Sequence, residues 1–533
     1  MRNIVKWLCL TGLVCCFQTL TAKDFIHPGL LHGTDDLVRM EQTVKNRIYP
    51  GWGSYELLKR QPEASADYHM NGPYEHISRA GKYGYTKSPC EADCKAAYYN
   101  ALLWTMTGDV RHADKAMEIL RAYASTLQEI HGPDDPLCAG LQGFILVNAA
   151  EIMRYTYTVD CYKDGWTVED TQQVEAMFRR AFLPVLETFC NTAPYANGNW
   201  GISVNKMQLA LGIFLNDTEL YDKALDFFYY SRDNGSLPNY VAETGQIQES
   251  GRDQAHCMLG LGCLAETAEC AWKQGNDLYG ALDNRIMKGY EYLSKVNLGY
   301  TDVPFTVWKD ATGRYGNWLS MGEAGLGEFR AVFEIAYNHY VCRMHQAMPY
   351  TEKVVKRIRP EGPGFTCDNP GFGTLLFYSG PSEQLPETDK IEEYLTDVWK
   401  GWTFSAPSLQ PVDNGRLSVT SSGIRMQKAR LKYDAGKYPY LTVTFNDLPA
   451  DRKDGWLRLS YSVNSAPEFW TFREEDAVVK DGNTFVFKVA GSRSNNGTVF
   501  SSGTETVTLL LDFGQVAHVG IESIVSQRDL SRD

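Results

Sequence analysis

Hydrophobic residues recur with a helical period through most of the first 350 residues, and the segments that carry them are of two kinds. Segments of one kind are apolar over most of their surface, whereas those of the other have an apolar face and a charged face. The apolar helices are predicted at 88–107, 137–157, 200–215 and 255–272, and the amphipathic ones at 112–127, 168–189, 219–230 and 279–293. Because the two kinds alternate, they predict two concentric layers of helical hairpins, an α/α toroid whose inner helix ends surround one cleft. A superhelical solenoid is the rival arrangement, and no fixed repeat period supports it.

The pattern changes after about residue 400, where apolar and polar residues alternate over short runs. Strands are predicted at 416–421, 440–445, 456–463, 484–489, 505–512 and 519–525. Turn residues such as Asp481-Gly482-Asn483 separate them. Six strands of this kind predict a β-sandwich, which either binds carbohydrate or braces the helical domain.

The two patterns together predict a mainly α protein, in which an α/α toroid is followed by a smaller C-terminal β-sandwich domain. We assign residues 23–380 to the toroid, 381–399 to a linker and 400–533 to the β-sandwich. Within the toroid, a further helix is predicted at 325–348, and the polar stretch 61–87 is predicted to form a long loop.

Residues 1–22 have the composition of a cleaved signal peptide. Arg2 and Lys6 precede an apolar run, and small residues follow as a cleavage site. A lipoprotein signal would use Cys15 or Cys16, but the residues before them suit that modification poorly. The expected location is therefore the periplasm or the extracellular space. Beyond this segment, no run is predicted to span a membrane.

The overall charge excludes one class of function. A net charge of −13 argues against nucleic-acid binding through a broadly basic surface, so a polyanionic ligand would require local positive charge. The 12 Trp, 31 Tyr and 23 Phe supply aromatic rings that stack on sugars or fill cores. Three of the 13 cysteines lie in the signal peptide, and the scattered remainder indicates buried thiols rather than a disulfide framework. The sequence does not determine the oligomeric state.

The densest polar cluster is 246–256, which reads Gln-Ile-Gln-Glu-Ser-Gly-Arg-Asp-Gln-Ala-His and ends where an apolar helix begins. Ser250 and Gly251 are expected to supply the turn and the N-cap of that helix. Arg252 and His256 have the spacing i,i+4 and are expected to share one helix face.

Two other motifs are expected to face the same cleft. Asn199 opens an apolar helix within Asn197-Gly198-Asn199-Trp200, and Tyr315 lies within Arg314-Tyr315-Gly316-Asn317-Trp318. With His256 and Arg252, they would bring an amide, a phenol, an imidazole and guanidinium groups to one site. Such a set suits β-elimination from a uronic acid, because donors disperse the carboxylate charge while a base takes the C5 proton and an acid protonates the leaving oxygen. No metal or other cofactor is needed if these donors suffice.

In this order, the motifs resemble those of the alginate-lyase-type polysaccharide lyases, and family 38 more closely than family 5. The motifs that carry the resemblance are Asn197-Gly198-Asn199-Trp200, residues 248–256, Asp302-Val303-Pro304-Phe305 and residues 330–340. The resemblance covers about residues 30–380. It implies an α/α-toroid lyase that acts on an acidic polysaccharide, such as mannuronate-rich alginate or glucuronan.

The resemblance also implies roles for particular residues. It implies an Asn that neutralises the substrate carboxylate, a His and a catalytic Tyr, which match Asn199, His256 and Tyr315. Tyr240 and Tyr300 are the other tyrosines near the motifs. The residues expected to bind substrate are Trp200, Gln248, Arg252 and Arg314. Without the resemblance, Asn199 is equally an N-cap residue and Tyr315 equally a packing aromatic.

Two other functions stay open. A glycoside hydrolase would use a carboxylate pair, for which Glu249 and Asp253 are the only candidates near the cluster, although both lie on one element. A non-catalytic glycan-binding protein would also account for the aromatic residues and the β-sandwich. A zinc site is not predicted, because the chain has no His-Glu-x-x-His motif and His256 has no histidine partner at helical spacing.

Overall fold

The computed structural model describes residues 24–192, 194–309, 312–314, 316–383, 390–395, 399, 401–404, 410–412, 415–418, 423–463, 468–500 and 503–530. The predicted signal peptide lies outside these residues, and so does Tyr315.

The described chain is helical as far as about residue 376. The helices are α1 (Thr34–Lys45), α2 (Gly51–Lys59), α3 (Lys87–Thr107), α4 (Val110–Thr126), α5 (Asp135–Leu137), α6 (Gly143–Thr156), α7 (Val168–Met177), α8 (Leu183–Cys190), α9 (Gly198–Phe214), α10 (Thr218–Tyr230), α11 (Leu237–Tyr240), α12 (Gln254–Lys273), α13 (Ala281–Asn297), α14 (Glu334–Tyr337), α15 (Pro349–Ile358) and α16 (Gly373–Leu376). Short π-helical segments at Cys138–Gln142, Phe178–Phe182 and Asn338–Arg343 continue α5, α7 and α14.

The strands lie mainly in the C-terminal part of the chain. They are β1 (His76–Ile77), β2 (Glu129–Ile130), β3 (Glu392–Tyr394), β4 (Trp402–Phe404), β5 (Gln410–Val412), β6 (Arg416–Ser418), β7 (Arg425–Asp434), β8 (Tyr440–Asp447), β9 (Arg458–Val463), β10 (Phe469–Arg473), β11 (Val479–Asp481), β12 (Thr484–Lys488), β13 (Thr504–Asp512) and β14 (His518–Gln527).

The helices form two layers. Helices α3, α6, α9 and α12 pack side by side as the inner layer, and nearly every side chain of α9 and α12 is buried. Helices α4, α10 and α13 pack against α3, α9 and α12 from outside and bury a single face. Inner helices are apolar on all sides because neighbours cover them on all sides, and outer helices are amphipathic because they bury one face. The predicted α/α toroid is confirmed.

One inner-layer segment is apolar enough to resemble a membrane span. The run Asp135–Thr156 is long and apolar enough to cross a membrane, but 89% of its most apolar 18-residue stretch is buried inside the helical domain. Its apolar surface therefore faces neighbouring helices.

The helix predicted at 325–348 is much shorter in the structure. Only Glu334–Tyr337 and Asn338–Arg343 are helical; residues 324–327 form a turn, and 328–333 have no regular structure. Gly325 and Gly327 have φ angles of 76° and 78°, in the left-handed region that a right-handed helix does not contain.

The C-terminal strands form two antiparallel sheets that pack around a separate hydrophobic core. One sheet has the order β10-β9-β13-β7-β4, and the other has the order β11-β12-β8-β14-β6-β5 with β3 also paired to β14. Ile391, Leu395 and Trp399, which the sequence placed in the linker, are buried in this second core. The sandwich thus begins before residue 400.

The longest strand that the sequence pattern missed is β7. Its pairing with β13 shifts register between Val507 and Leu509, so one extra residue interrupts the strict alternation of buried and exposed side chains. Strand β10 was also missed, because a run of five residues gives little periodicity.

Candidate active site at the starts of two inner helices

The Asn199 side chain lies buried at the start of α9, and it is 1% exposed. The N-cap position belongs to Asn197, whose side chain makes no capping hydrogen bond. Side chains from the polar cluster accept from the first N–H groups of α9 instead: Gln248 Oε1 accepts from Gly198 N at 3.1 Å, and Glu249 Oε2 accepts from Asn199 N at 3.2 Å. Asn199 Oδ1 is buried with no hydrogen-bond partner among the described residues, so the amide is not spent on capping its helix.

Glu249 joins this helix start to the next one. Its side chain is fully buried and accepts hydrogen bonds from Arg252 Nη1 at 2.8 Å and from the Tyr240 hydroxyl at 3.1 Å, besides the one from Asn199 N. Burial raises the pKa of the Glu249 carboxyl, while the nearby charge of Arg252 opposes that rise. Glu249 therefore fixes Asn199 and Arg252 relative to each other.

Tyr240 fills the space between the two helix starts. A Cβ atom at Gly198 would lie 2.4 Å from its ring, and one at Gly260 would lie 2.0 Å from its hydroxyl. Both positions therefore require glycine for the close approach of this ring. The hydroxyl also donates to the carbonyl oxygen of His256 at 3.3 Å, and burial raises the pKa of Tyr240 well above its ordinary value. This residue, named in the sequence only as another nearby tyrosine, braces the site.

The His256 imidazole is held between a carboxylate and a guanidinium. Its Nδ1 lies 2.7 Å from Asp253 Oδ2, and its Nε2 lies 3.1 Å from Arg252 Nη2. Arginine only donates hydrogen bonds, so Nε2 accepts and Nδ1 carries the proton that Asp253 accepts. The side chain of His256 is 38% exposed. The geometry thus presents a neutral imidazole whose lone pair is on Nε2.

Asp253 has a second function at the start of α12. It is the N-cap residue, and its Oδ1 accepts from His256 N at 2.8 Å. The expected cap from Ser250 and Gly251 is therefore wrong: these residues belong to the 3-10 turn Gln248–Gly251, which precedes the helix. Burial alone would raise the pKa of Asp253, but hydrogen bonds from His256 outweigh it and lower that pKa.

Arg252 and His256 do meet, as their spacing predicted, although Arg252 lies just before the helix rather than on it. Gln248, predicted to contact substrate, is instead occupied within the protein. It is buried, its Oε1 accepts from Gly198 N, and its Nε2 donates to the carbonyl oxygen of Ala196 at 3.0 Å. Gln248 therefore positions the turn that leads into α9.

A loop after α13 packs over the polar cluster. The side-chain amide of Gln246 exchanges hydrogen bonds with the backbone of Thr306 at 2.6 and 2.7 Å, and Gly322 N donates to the carbonyl oxygen of Ser250 at 2.8 Å. Within the loop, the rings of Trp308 and Trp318 stack with centroids 4.4 Å apart. Tyr315 belongs to this loop but lies outside the described residues, so its predicted catalytic role stays a prediction.

Trp200 and Arg314 lie together on a neighbouring cavity of about 430 Å³. The ring of Tyr195 connects them: it stacks on Trp200 at 4.5 Å, and the guanidinium of Arg314 lies 5.0 Å from its centroid. Tyr195 gave no periodic signal in the sequence. The predicted residues thus form two groups, one around Glu249 and one around Tyr195, which meet at the adjacent residues Asn199 and Trp200.

The carboxylates that a hydrolase would use are engaged within the protein. Glu249 is fully buried in hydrogen bonds, and Asp253 holds His256. Both belong to the segment 246–256, whereas the carboxylate pair of a glycoside hydrolase flanks the sugar from two sides. Among the residues that the structure describes, no group of three or more His, Cys, Asp or Glu side chains is arranged to hold a metal ion.

Comparison with known proteins identifies the helical domain. Residues 49–298 match the family model described as alginate lyase. This match supports a polysaccharide lyase of the alginate lyase type. Alginate lyase A1-III from Sphingomonas species A1 has the same fold, with a TM-score of 0.50 and 13% identity over 65% of this chain and 95% of that one. No curated protein matches the sequence at a significant level.

Two further solved structures are similar to the present chain, each over a different part of it. An alginate lyase from Bacteroides ovatus has a TM-score of 0.40 and 13% identity, over 62% of this chain and 98% of that one. Heparinase III has a TM-score of 0.34 and 10% identity, over 94% of this chain and 93% of that one.

Proposed function

We propose that the protein cleaves a polyuronate, mannuronate-rich alginate or glucuronan, by metal-independent β-elimination that leaves 4,5-unsaturated uronic acid ends. The observation that carries this proposal is the neutral His256 imidazole, whose Nε2 faces Arg252 while Glu249 ties Arg252 to the Asn199 helix start. A base and two donors for a carboxylate are thereby held on one rigid frame.

The first step is binding of the substrate carboxylate. Arg252 and the amide of Asn199 donate to it, and these donors stabilise the charge that develops when the C5 proton leaves. When Arg252 donates to the substrate carboxylate, it gives up its hydrogen bond to Nε2 of His256, and the lone pair on Nε2 becomes available as a base. The buried carboxylate of Glu249 keeps Arg252 oriented meanwhile.

The second step is elimination. Nε2 of His256 takes the C5 proton, the electrons of that C–H bond form the C4–C5 double bond, and the bond from C4 to the glycosidic oxygen breaks. The leaving oxygen takes a proton from Tyr315. Solvent then reprotonates Tyr315 and takes the proton from His256. If proton and leaving group lie on the same face of the sugar, Tyr315 serves as both base and acid. Trp200 and Arg314 hold an adjacent sugar of the chain.

A product assay tests this function. Incubation with mannuronate-rich alginate, glucuronan and other polyuronates is expected to give rising ultraviolet absorbance from the new double bond, with product sizing to separate endo from exo action. The variants Asn199→Ala and His256→Gln are expected to lose at least about 10²-fold in rate. Absence of an absorbance gain on every polyuronate would contradict the proposal.

We also propose that the enzyme acts in the periplasm or outside the cell. This rests on residues 1–22, which have signal-peptide composition and lie outside the described residues. N-terminal sequencing of the protein recovered from fractionated cells tests it. A mature chain that begins near Lys23 is expected, and recovery from the cytoplasm with Met1 intact would contradict it.

A further inference from the structure

A second charged cavity, of about 1100 Å³, lies on the β-sandwich. None of its lining residues belongs to the helical domain. Its charged residues are Arg425, Asp454, Arg458, Arg473, Glu475 and Asp512. The lyase chemistry proposed above uses none of them.

Strand register places four of these residues in one row. Arg473 on β10 lies opposite Arg458 on β9, Arg458 lies opposite Asp512 on β13, and Asp512 lies opposite Arg425 on β7. Directly opposed residues of an antiparallel sheet project from the same face. With neighbouring strands about 4.8 Å apart, the row extends over about 14 Å.

Asp512 holds two of the three guanidinium groups in place. Its Oδ2 accepts from Arg425 Nε at 2.9 Å and from Arg458 Nη2 at 2.5 Å, and its side chain is 9% exposed. The arginine side chains remain 57% exposed at Arg425 and 45% exposed at Arg458. Because each guanidinium has five N–H groups, both are oriented by the protein and still able to donate to a ligand.

Asp512 holds Arg425 and Arg458, but it makes no described contact with the third arginine of the row, Arg473. Arg473 faces Arg458 directly, and like charges at opposed positions destabilise a sheet. Its guanidinium lies 3.8 Å from the carboxylate of Glu475, and the arginine side chain is 66% exposed. An exposed pair of that length contributes little to stability, so the placement of Arg473 indicates binding rather than folding.

The same face continues with uncharged polar groups. In the next row, Thr471 lies opposite Ser460, and their hydroxyl oxygens are 3.2 Å apart on the exposed side of the sheet. Gln427 extends this row on β7, beyond Leu510. The surface thus offers guanidinium groups beside hydroxyl and amide groups.

We propose that this face of the β-sandwich is a second binding site for acidic polysaccharide, in which the arginine row binds uronate carboxylates. The planar guanidinium fork matches a carboxylate. Asp454 and Glu475 in the same cavity are able to accept hydrogen bonds from sugar hydroxyls. The choice of a uronate polymer rests on the proposed function.

Affinity electrophoresis of the full-length protein tests the site. Gels contain mannuronate-rich alginate, polygalacturonate, a sulfated polysaccharide or neutral dextran. The parent is expected to be retarded by the carboxylate polymers alone. Arg473→Ala is expected to bind these polymers about tenfold more weakly, through the loss of one charge-assisted contact, and Arg458→Ala/Arg473→Ala about a hundredfold more weakly, through the loss of two.

A matched variant removes charge elsewhere on the same domain. Lys488 is an exposed cation on β12 in the other sheet, and Lys488→Ala is expected to leave retardation unchanged. Arg473 makes no hydrogen bond to Asp512 in the described contacts, so thermal unfolding of Arg473→Ala is expected to match the parent. The proposal is overturned if the arginine variants bind like the parent, or if Lys488→Ala weakens binding equally.

The assay also separates this site from the lyase site. Retardation does not require turnover, so a parent that forms no unsaturated product, but whose retardation by carboxylate polymers is weakened by Arg473→Ala, supports the second site and contradicts the proposed function. A parent that forms product but is retarded by none of them overturns the second site. Turnover of a short oligosaccharide, which reaches only one site, is expected to be equal in the parent and in Arg473→Ala.

Discussion

At the scale of single residues, the orientation of His256 is decided by two neighbours that are close in sequence. Asp253 accepts from Nδ1 and Arg252 donates to Nε2. Because a guanidinium has no acceptor, this pairing selects one tautomer of the ring. The state of the proposed base therefore depends on a charge pair rather than on the histidine alone.

Substitution Asp253→Asn tests that dependence. Asparagine is as good an N-cap as aspartate, so α12 and the thermal unfolding midpoint are expected to change little. An amide can donate to Nδ1 and so permits the wrong tautomer, and we expect kcat to fall at least about 10²-fold. Asp253→Ala serves as the comparison, because it also loses the cap and about 1 kcal/mol of stability. A parent-like kcat in Asp253→Asn would exclude this role.

At the scale of elements, the site is a junction between the starts of α9 and α12. Glu249 precedes α12 in the chain, yet its carboxylate accepts from the first turn of α9 and from Tyr240 on α11. Inner-layer helices bring these starts together because α9 and α12 pack along their lengths. These contacts favour Glu249 as a positioning residue over the catalytic acid of a hydrolase.

Substitution Glu249→Gln is expected to loosen this junction. The added NH₂ group faces the hydrogen-bond donors that now contact the carboxylate, namely Arg252, Asn199 N and the Tyr240 hydroxyl. The guanidinium of Arg252 also loses the negative charge that balances it. We expect the free energy of unfolding to fall by about 2 kcal/mol, together with a loss of lyase activity. Glu219→Gln is the matched control, since Glu219 forms an exposed pair with Lys223 at the start of α10. Equal unfolding midpoints for the two variants would contradict the junction.

At the scale of the whole molecule, the first and last helices of the helical domain meet. Helices α1 and α2 pack against α16, and a buried carboxylate pair lies beside this contact. Glu334 accepts from Arg359 at 2.6 and 2.9 Å, while Glu361 Oε1 accepts from the backbone N–H groups of Phe333 and Glu334. Burial, followed by the negative charge of Glu334, raises the pKa of Glu361 from 4.5 to about 8.

This raised pKa predicts how stability changes with pH. Between pH 4.5 and about 8, the folded protein keeps a proton on Glu361 that the unfolded chain releases. Stability from this group is therefore fully present below pH 4.5 and is lost as pH rises through about 8. Glu361→Gln keeps an acceptor for both N–H groups and removes the titration. We expect it to gain about 1 kcal/mol or more over the parent at alkaline pH, measured by urea unfolding across pH.

The control for this pH series is Glu352→Gln. Glu352 is an exposed residue paired with Lys356 on α15, so its removal is expected to shift the free energy of unfolding by a small and nearly constant amount. If the difference between Glu361→Gln and the parent did not grow from pH 5 to pH 9, the group would not titrate in this range.

The helical layers and the contact between Arg252 and His256 followed from the sequence because both depend on local order. Burial of α9 and α12 on all sides requires nearly continuous apolar residues, and Arg252 and His256 meet because they are four positions apart. What the sequence did not decide was how contacts across the fold use each polar group. Gln248 holds the start of α9 because it accepts from Gly198 N, which lies 50 residues away in the chain. Tyr240 packs in the space that Gly198 and Gly260 leave by having no side chain. The arginine row required the register of four strands, one of them interrupted by a bulge, and register is a property of pairing between segments that are distant in the chain.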